Sequence, residues 1–230
     1  MTNAVSQKKL LIIFGTRPEA IKLFPVIAAV RDDPQLAPVV CVSGQHREML
    51  DQVLRIAELV PDHDLGLMRE GQSLDSLTAA LMTGLGQVMD CERPDRVLVQ
   101  GDTATAMAGA LAAYYRRIPV YHVEAGLRSG AVYHPWPEEG MRRMVTALAS
   151  LHFAPTQAAR AALLSENVAD DRICVVGNTV IDALHWICAR IAAQPLLACG
   201  LADLEARYAG KRIVAVTCHR RENLDGGLHR

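Results

Sequence analysis

The sequence predicts an α/β fold built on a parallel sheet, and three observations carry that prediction. Short apolar runs alternate with amphipathic stretches from one end of the 230-residue chain to the other. Most of these runs are continuously apolar rather than alternating apolar and polar, the mark of strands buried on both faces. Half of the residues are hydrophobic, mostly Ala, Val, Leu and Ile, and aromatics make up only 4%. That composition suits helices packed on a buried sheet. Alternating strands and helices then imply parallel pairing through right-handed crossovers.

Taken in order, a strand is expected at Leu10–Phe14, where KKLLIIF gives way to GTRPE, and a helix follows near Pro18–Arg31. A second strand at Val39–Ser43 leads into a helix near Arg47–Leu59. A helix near Leu74–Met89 precedes the run Arg96–Gln100, and another near Thr103–Tyr115 precedes Val120–Val123. The pattern continues with a helix at Glu138–Ala149, a strand at Leu151–Ala154, a helix at Thr156–Glu166 and a strand at Arg172–Val176. A boundary is expected after Gly177, giving a first domain over 1–177. Residues 178–230 then read as linker helices, including one near Val180–Ala193, and the opening strand Arg212–Thr217 of a second, incomplete domain. One strand and a helix start cannot bury their own apolar surface.

Charge and cysteine usage narrow the partners. The chain has 24 basic and 25 acidic residues, so no basic surface for nucleic acid is expected. The six cysteines are scattered, without a C-x-x-C pair or metal-like spacing, which reads as reduced thiols in the cytoplasm. No apolar stretch is long enough for a membrane span, and the run after Lys8–Lys9 meets Gly15, Arg17 and Glu19 too early for a signal peptide.

Ligands of open parallel sheets sit beyond the carboxyl ends of the strands, so the polar residues there carry the functional signal. After the first strand, Gly15 permits a tight turn, Thr16 suits a helix cap and Pro18 a first turn. Arg17 beside that helix start points to an anion. Asp102, after VLVQ-Gly101, suits either a helix cap or a site residue. Glu124, straight after VYHV, is a poor cap and favours a functional role. His122, inside that strand, reads as a hydrogen-bonded core residue. Glu138 and Glu139 follow the stiff loop Tyr133–Pro137, where either the helix dipole or a pocket explains them. Met141–Arg142–Arg143 puts two cations on the same helix. His219 and Arg220 follow the last apolar run and repeat the basic strand end seen at Arg17. No metal site, G-x-S-x-G elbow or Walker loop is present. Carboxylates, a histidine and arginines together suit proton abstraction and return beside an anionic leaving group.

Together the segments FGTRPEAIK (14–22), SGQHREMLDQVL (43–54), QGDTATA (100–106), HVEAGLRSG (122–130), YHPWPEE (133–139), LHFAPT (151–156), GNTVIDAL (177–184) and TCHRREN (217–223) resemble the non-hydrolysing UDP-N-acetylglucosamine 2-epimerases. The resemblance implies a two-domain, glycosyltransferase-B-like architecture with Rossmann-like domains, here stopping early in the second. It implies interconversion of UDP-GlcNAc and UDP-ManNAc without a cofactor, by elimination of UDP to 2-acetamidoglucal and re-addition, in supply of surface-polysaccharide precursors. It places Asp102, Glu124, Glu138 and His219 at the catalytic positions, and Arg17, Lys22 and His219 against the substrate. Gln45, Glu138 and Arg220 match a second, activating UDP-GlcNAc site in some members. A homodimer is implied for the full-length form, and a chain cut short in its second domain is expected to be inactive. A hydrolysing epimerase, a glycosyltransferase on the same scaffold and a non-catalytic interaction remnant are the alternatives. The sequence departs from the family pattern at Met141, where an Asn is usual, at Ala104 in place of Thr, and at Glu48 and Gly71 around the second site. Gly140 is also unfavourable in an early helical turn.

Overall fold

The computed structural model describes residues 7–44, 47–67, 69, 71–195, 200 and 202–214. The chain divides into two compact units, residues 1–185 and 186–230. In chain order the elements are β1 (Lys8–Phe14), α1 (Arg17–Asp32), β2 (Leu36–Val42), α2 (Arg47–Ile56), β3 (His63–Asp64), α3 (Leu74–Glu92), β4 (Arg96–Gln100), α4 (Ala104–Tyr115), β5 (Val120–Val123), α5 (Glu138–Leu148), β6 (Leu151–Ala154), α6 (Gln157–Ser165), β7 (Ile173–Val175), α7 (Thr179–Ala193) and α8 (Ala202–Arg207). A short 3-10 turn at Asp170–Arg172 leads into β7.

The seven strands form one parallel sheet in the order β3-β2-β1-β4-β5-β6-β7, an α/β Rossmann-like arrangement as the sequence predicts. Neighbouring strands alternate their side chains between two cores. Leu11, Ile13, Val97 and Val99 join the layer under α3, α4 and α5. Leu10, Ile12, Phe14 and Leu98 join the layer under α1 and α2. A strand whose odd and even residues are both buried has to be apolar throughout, which is why these runs show no alternation.

Helix α4 is buried on almost every side, and its sequence ATAMAGALAAYY explains how. Small side chains let it lie close against the sheet. A Cβ at Gly109 would sit 3.2 Å from both Ile13 Cδ1 and Val99 Cγ1. The termini are set by short polar residues. The Ser73, Thr103 and Thr156 side chains accept from Ser76, Ala106 and Ala159 N–H at the starts of α3, α4 and α6.

The two-residue edge strand β3 was not expected, because PDHDL offers no apolar run; it pairs with Cys41 and Val42 of β2. The strand expected at Arg212–Thr217 is not formed over 212–214, and the remainder lies outside the described residues. Between β7 and α7, Gly177 adopts φ +83°. Cys41, Cys91, Cys174 and Cys188 are free thiols, and burial, helped by Asp64, pushes the Cys41 thiol up to about 12. Among the described residues no helix is long and apolar enough to cross a membrane.

His122 and His152 face each other on β5 and β6, 6.5 Å between ring centroids. Both are buried. His122 Nε2 donates to the Gly101 carbonyl at 2.8 Å, so it is the hydrogen-bonded core residue the sequence suggested. Burial lowers both rings from 6.5 to about 4.

A histidine held below its unfolded value contributes stability that is complete above pH 6.5 and is lost as pH falls towards 4. The change amounts to at most about 1.4 kcal/mol per pH unit for each ring. Buried Glu19 and half-buried Asp102, both raised, act in the opposite direction. Comparison with His122→Gln, which keeps a donor for Gly101, cancels their effect. Urea unfolding is expected to show the parent's advantage over this variant shrinking by about 1 kcal/mol per pH unit below about 6.5; a gap independent of pH contradicts this reading. Gly140 stands inside α5 with open space where its Cβ would be. Gly140→Ala is expected to raise unfolding stability by roughly 0.5–1 kcal/mol.

Candidate active site

The strand order turns around at the boundary between β1 and β4, and the crevice there is where a parallel sheet presents a ligand site. The turn from β1 into α1 is tightly constrained. A Cβ on Gly15 would fall 2.2 Å from Ser43 Oγ and 2.5 Å from Thr105 Oγ1, two hydroxyls that hydrogen-bond each other at 2.9 Å. Thr16 caps α1 in a reciprocal capping box with Glu19. Glu19 is 2% exposed. Its Oε2 accepts from the Gly15 and Thr16 N–H groups at 3.0 and 2.7 Å, and its Oε1 from the Thr103 hydroxyl at 2.7 Å. Burial raises its pKa, and these hydrogen bonds oppose the rise.

The β4 end brings Asp102 to the crevice. Thr103, not Asp102, caps α4, so the capping explanation for Asp102 falls away and its carboxylate is left for other partners. Arg142 Nη2 of α5 donates to Asp102 Oδ2. Burial raises the Asp102 pKa, the Arg142 charge and hydrogen bond oppose it, and nearby Glu124 and Glu138 add to the rise. Three carboxylates therefore share one neighbourhood.

Glu124 sits immediately after β5 at φ +64°, a left-handed backbone that non-glycine residues seldom adopt. Three donors converge on its carboxylate. Lys22 Nζ of α1 reaches Oε2 at 2.5 Å, Gln100 Nε2 of β4 also donates to Oε2, and Asn178 Nδ2 donates to Oε1 at 3.2 Å. Glu138, the first residue of α5, has a buried Oε2 with no hydrogen-bond partner. Its neighbour Glu139 is fully buried and structural. It accepts from Ser129 N–H at 3.1 Å and from Arg143 Nε at 2.9 Å, and pairs with Arg142 Nη1 at 3.3 Å.

A cleft of about 470 Å³ joins these groups, walled by Lys22, Gln100, Asp102, Glu124, Glu138 and Met141 among others. A larger depression of about 810 Å³ runs along α2 beside Asp51, Leu54 and Arg55 and has none of Arg17, Lys22, Asp102, Glu124 or Glu138 in its wall. Arg17 is exposed at the first position of α1 and does not line the cleft. The structure thus brings together Lys22, Asp102, Glu124 and Glu138, with Arg17 on the adjacent helix start. Gln45, His219 and Arg220 lie outside the described residues. Among the described residues no cluster of His, Cys, Asp or Glu would hold a metal ion.

Sequence reasoning assigned no role to Gln100, Asn178, Glu19 and Arg142. A buried amide at the end of an apolar strand was a usable signal for Gln100. Nothing local signalled Asn178, which arrives from 54 residues beyond Glu124.

A parallel sheet with a carboxylate-lined cleft at its switch point defines a Rossmann-like ligand-binding domain. The sequence model of the UDP-N-acetylglucosamine 2-epimerase family matches residues 28–229, and the chain belongs to that family. It is 50% identical over 226 residues to the UDP-N-acetylglucosamine 2-epimerase of Yersinia pestis, covering 96% of this chain and 59% of that protein. A crystal structure of the Neisseria meningitidis UDP-GlcNAc 2-epimerase bound to UDP-GlcNAc superposes with a TM-score of 0.88 at 44% identity, over 94% of this chain and 58% of that one. The Methanocaldococcus jannaschii enzyme in complex with UDP-GlcNAc and UDP gives a TM-score of 0.72 at 38% identity, over 76% and 48% of the two chains. The chain spans about three fifths of the length of the curated relatives it matches.

The Asp102–Arg142 pair has a direct test. In a carboxyl-carbon NMR titration Asp102 is expected to titrate above the ordinary aspartate value. In Arg142→Gln it is expected to rise further, because the opposing cation is gone while burial and the Glu124 and Glu138 charges remain. A fall in that variant contradicts the geometry.

Proposed function

We propose that these residues form the sugar-facing half of a non-hydrolysing epimerase that interconverts UDP-GlcNAc and UDP-ManNAc. The observation carrying this reading is the convergence of Asp102, Glu124 and Glu138 on one cleft beside Lys22. Family membership and the relatives' bound UDP-GlcNAc and UDP supply the substrate class.

In the proposed reaction a carboxylate takes the proton from C2 of the sugar. The C–H electrons form the C1–C2 double bond, and the C1–O bond breaks with its pair leaving on UDP. The same elements then return, UDP to C1 and a proton to the opposite face of C2. Such a reaction needs acid–base groups on both faces of the ring and cations for the departing diphosphate. The hydrogen-bond pattern favours separate roles for the three carboxylates. Glu124 is the catalytic carboxylate fixed in place by Lys22, Gln100 and Asn178. Glu138, with an unpartnered buried oxygen, and Asp102, with its raised pKa, are the groups suited to exchange protons. Lys22, Arg17 and His219 are assigned to the substrate, the last two on the diphosphate side, and His219 also to catalysis. Gln45, Glu138 and Arg220 are assigned to a second, activating UDP-GlcNAc.

We read residues 1–177 as one domain and 178–230 as the beginning of a nucleotide-binding domain, in a cytoplasmic homodimer that supplies polysaccharide precursors. With three fifths of the relatives' length present, the 230 residues alone are expected to show no turnover.

The test uses a chain carrying these residues at the relatives' full length, with UDP-GlcNAc in deuterated water. UDP-ManNAc with deuterium at C2 is expected, without net release of UDP. Asp102→Asn and Glu138→Gln are each expected to lower kcat by about 10²–10⁴-fold. Accumulation of free ManNAc would identify a hydrolysing enzyme instead, and sugar transfer to an acceptor a transferase.

A further inference from the structure

A third cavity lies between α5, α6 and the turn that enters β7. It encloses about 450 Å³, and its walls include Arg143, Thr146, His152, Glu166, Asn167 and Arg172. The cleft described above shares none of its lining residues.

Most of the charge around this cavity is already matched. Arg128 grips Glu166 through Nε and Nη2, both at 2.7 Å, and also donates to Thr146 Oγ1 at 2.9 Å. Arg142 and Arg143 share the buried Glu139, and Arg142 also serves Asp102. Asp170 is paired with Arg160. Two donors are left over. Arg143 commits only its Nε, and the Arg172 guanidinium makes no hydrogen bond or ion pair with any described residue. Neither guanidinium is spent on a helix-end carbonyl, which is the ordinary use of a cation at such a place.

His152 forms part of the cavity wall and is 1% exposed, yet its Nδ1 is buried without a partner. A buried polar atom left unsatisfied is costly to the fold. Burial, and after it the Arg128 and Arg172 charges, hold this ring neutral against an opposing interaction with the Ala149 carbonyl. The cavity therefore offers guanidinium donors and, beside them, a ring nitrogen without a hydrogen-bond partner.

We propose that this cavity binds a phosphate group, with Arg143 and Arg172 on its oxygens and one hydrogen shared between a phosphate oxygen and His152 Nδ1. Phosphate suits both halves of the site. It presents several acceptor oxygens to guanidinium donors, and below its second pKa of about 6 it carries a proton for the ring nitrogen, which, with its own pKa at about 4, is still neutral there. Sulfate presents the same oxygens without that proton. The cavity is larger than one phosphate needs, leaving space for the substituent of a phosphate monoester.

The test is a titration of the 230-residue chain with inorganic phosphate, glycerol phosphate and sulfate at constant ionic strength and about pH 5.5, between the ring's pKa and that of the phosphate. It is read by the nitrogen NMR signal of His152 and by calorimetry. Saturable binding of one of the two phosphate probes that shifts Nδ1, and is tighter than that of sulfate, is expected; the better probe shows whether free phosphate or an ester is preferred. Arg172→Gln, an exposed change, and Arg143→Gln are each expected to weaken binding about tenfold. Arg17→Gln, at the other site, leaves the His152 response in place. No saturation, a His152 signal that does not move, or binding unchanged in both Arg143 and Arg172 variants would overturn the proposal. These readouts do not involve epimerisation, so they fail or succeed independently of the functional reading above.

Discussion

The buried carboxylate of Glu19 fixes the relation between two strand ends on which the site depends. One oxygen holds the two backbone N–H groups that open α1, and the other holds the Thr103 hydroxyl that opens α4. A single side chain thus ties the β1 turn, bearing Arg17, to the β4 turn, bearing Asp102. The contact needs Gly15 without a Cβ, because Ser43 and Thr105 occupy that space. Desolvating a carboxylate is expensive, and the arrangement is tenable because three donors meet it inside the core. Loss of one donor would leave the others facing a poorly satisfied charge.

Around this tie the site is assembled from long-range pairs. Glu124 is oriented by groups from α1, β4 and the loop before α7, and Asp102 by a guanidinium on α5. The unusual backbone of Glu124 fits that picture, since its left-handed conformation is opposed by hydrogen bonds from three directions. Glu138 differs in having a buried oxygen without a partner. Three carboxylates of similar intrinsic acidity consequently occupy three different environments.

Much of the fold was readable from residue order because both faces of the sheet are buried. Continuous apolar runs such as LLIIF and VLVQ then admit few assignments, and the polar residues closing them fall at the site. Glu124 and Lys22 were recoverable in this way or through the family resemblance. The cap of α4 was ambiguous because Asp102 and Thr103 are adjacent and both suit that role; only the side-chain geometry separates them. β3 escaped because a two-residue edge strand needs no hydrophobic pattern. Arg142 was visible as a cation but not as the partner of Asp102, since 40 residues separate them. Asn178 was hidden for the same reason: pairing across a fold leaves no local periodicity.

The small residues of α4 carry a consequence for how such a domain changes over generations. With Gly109 wedged against Ile13 and Val99, this helix behaves as a rigid strut seated on the sheet, and its first turn begins at the residue after Asp102 and Thr103. Enlarging a side chain at the seat would push the strut outward and carry its near end with it. Variation in the geometry of the cleft is therefore accessible through substitutions far from it, in a stretch that reads as featureless alanine.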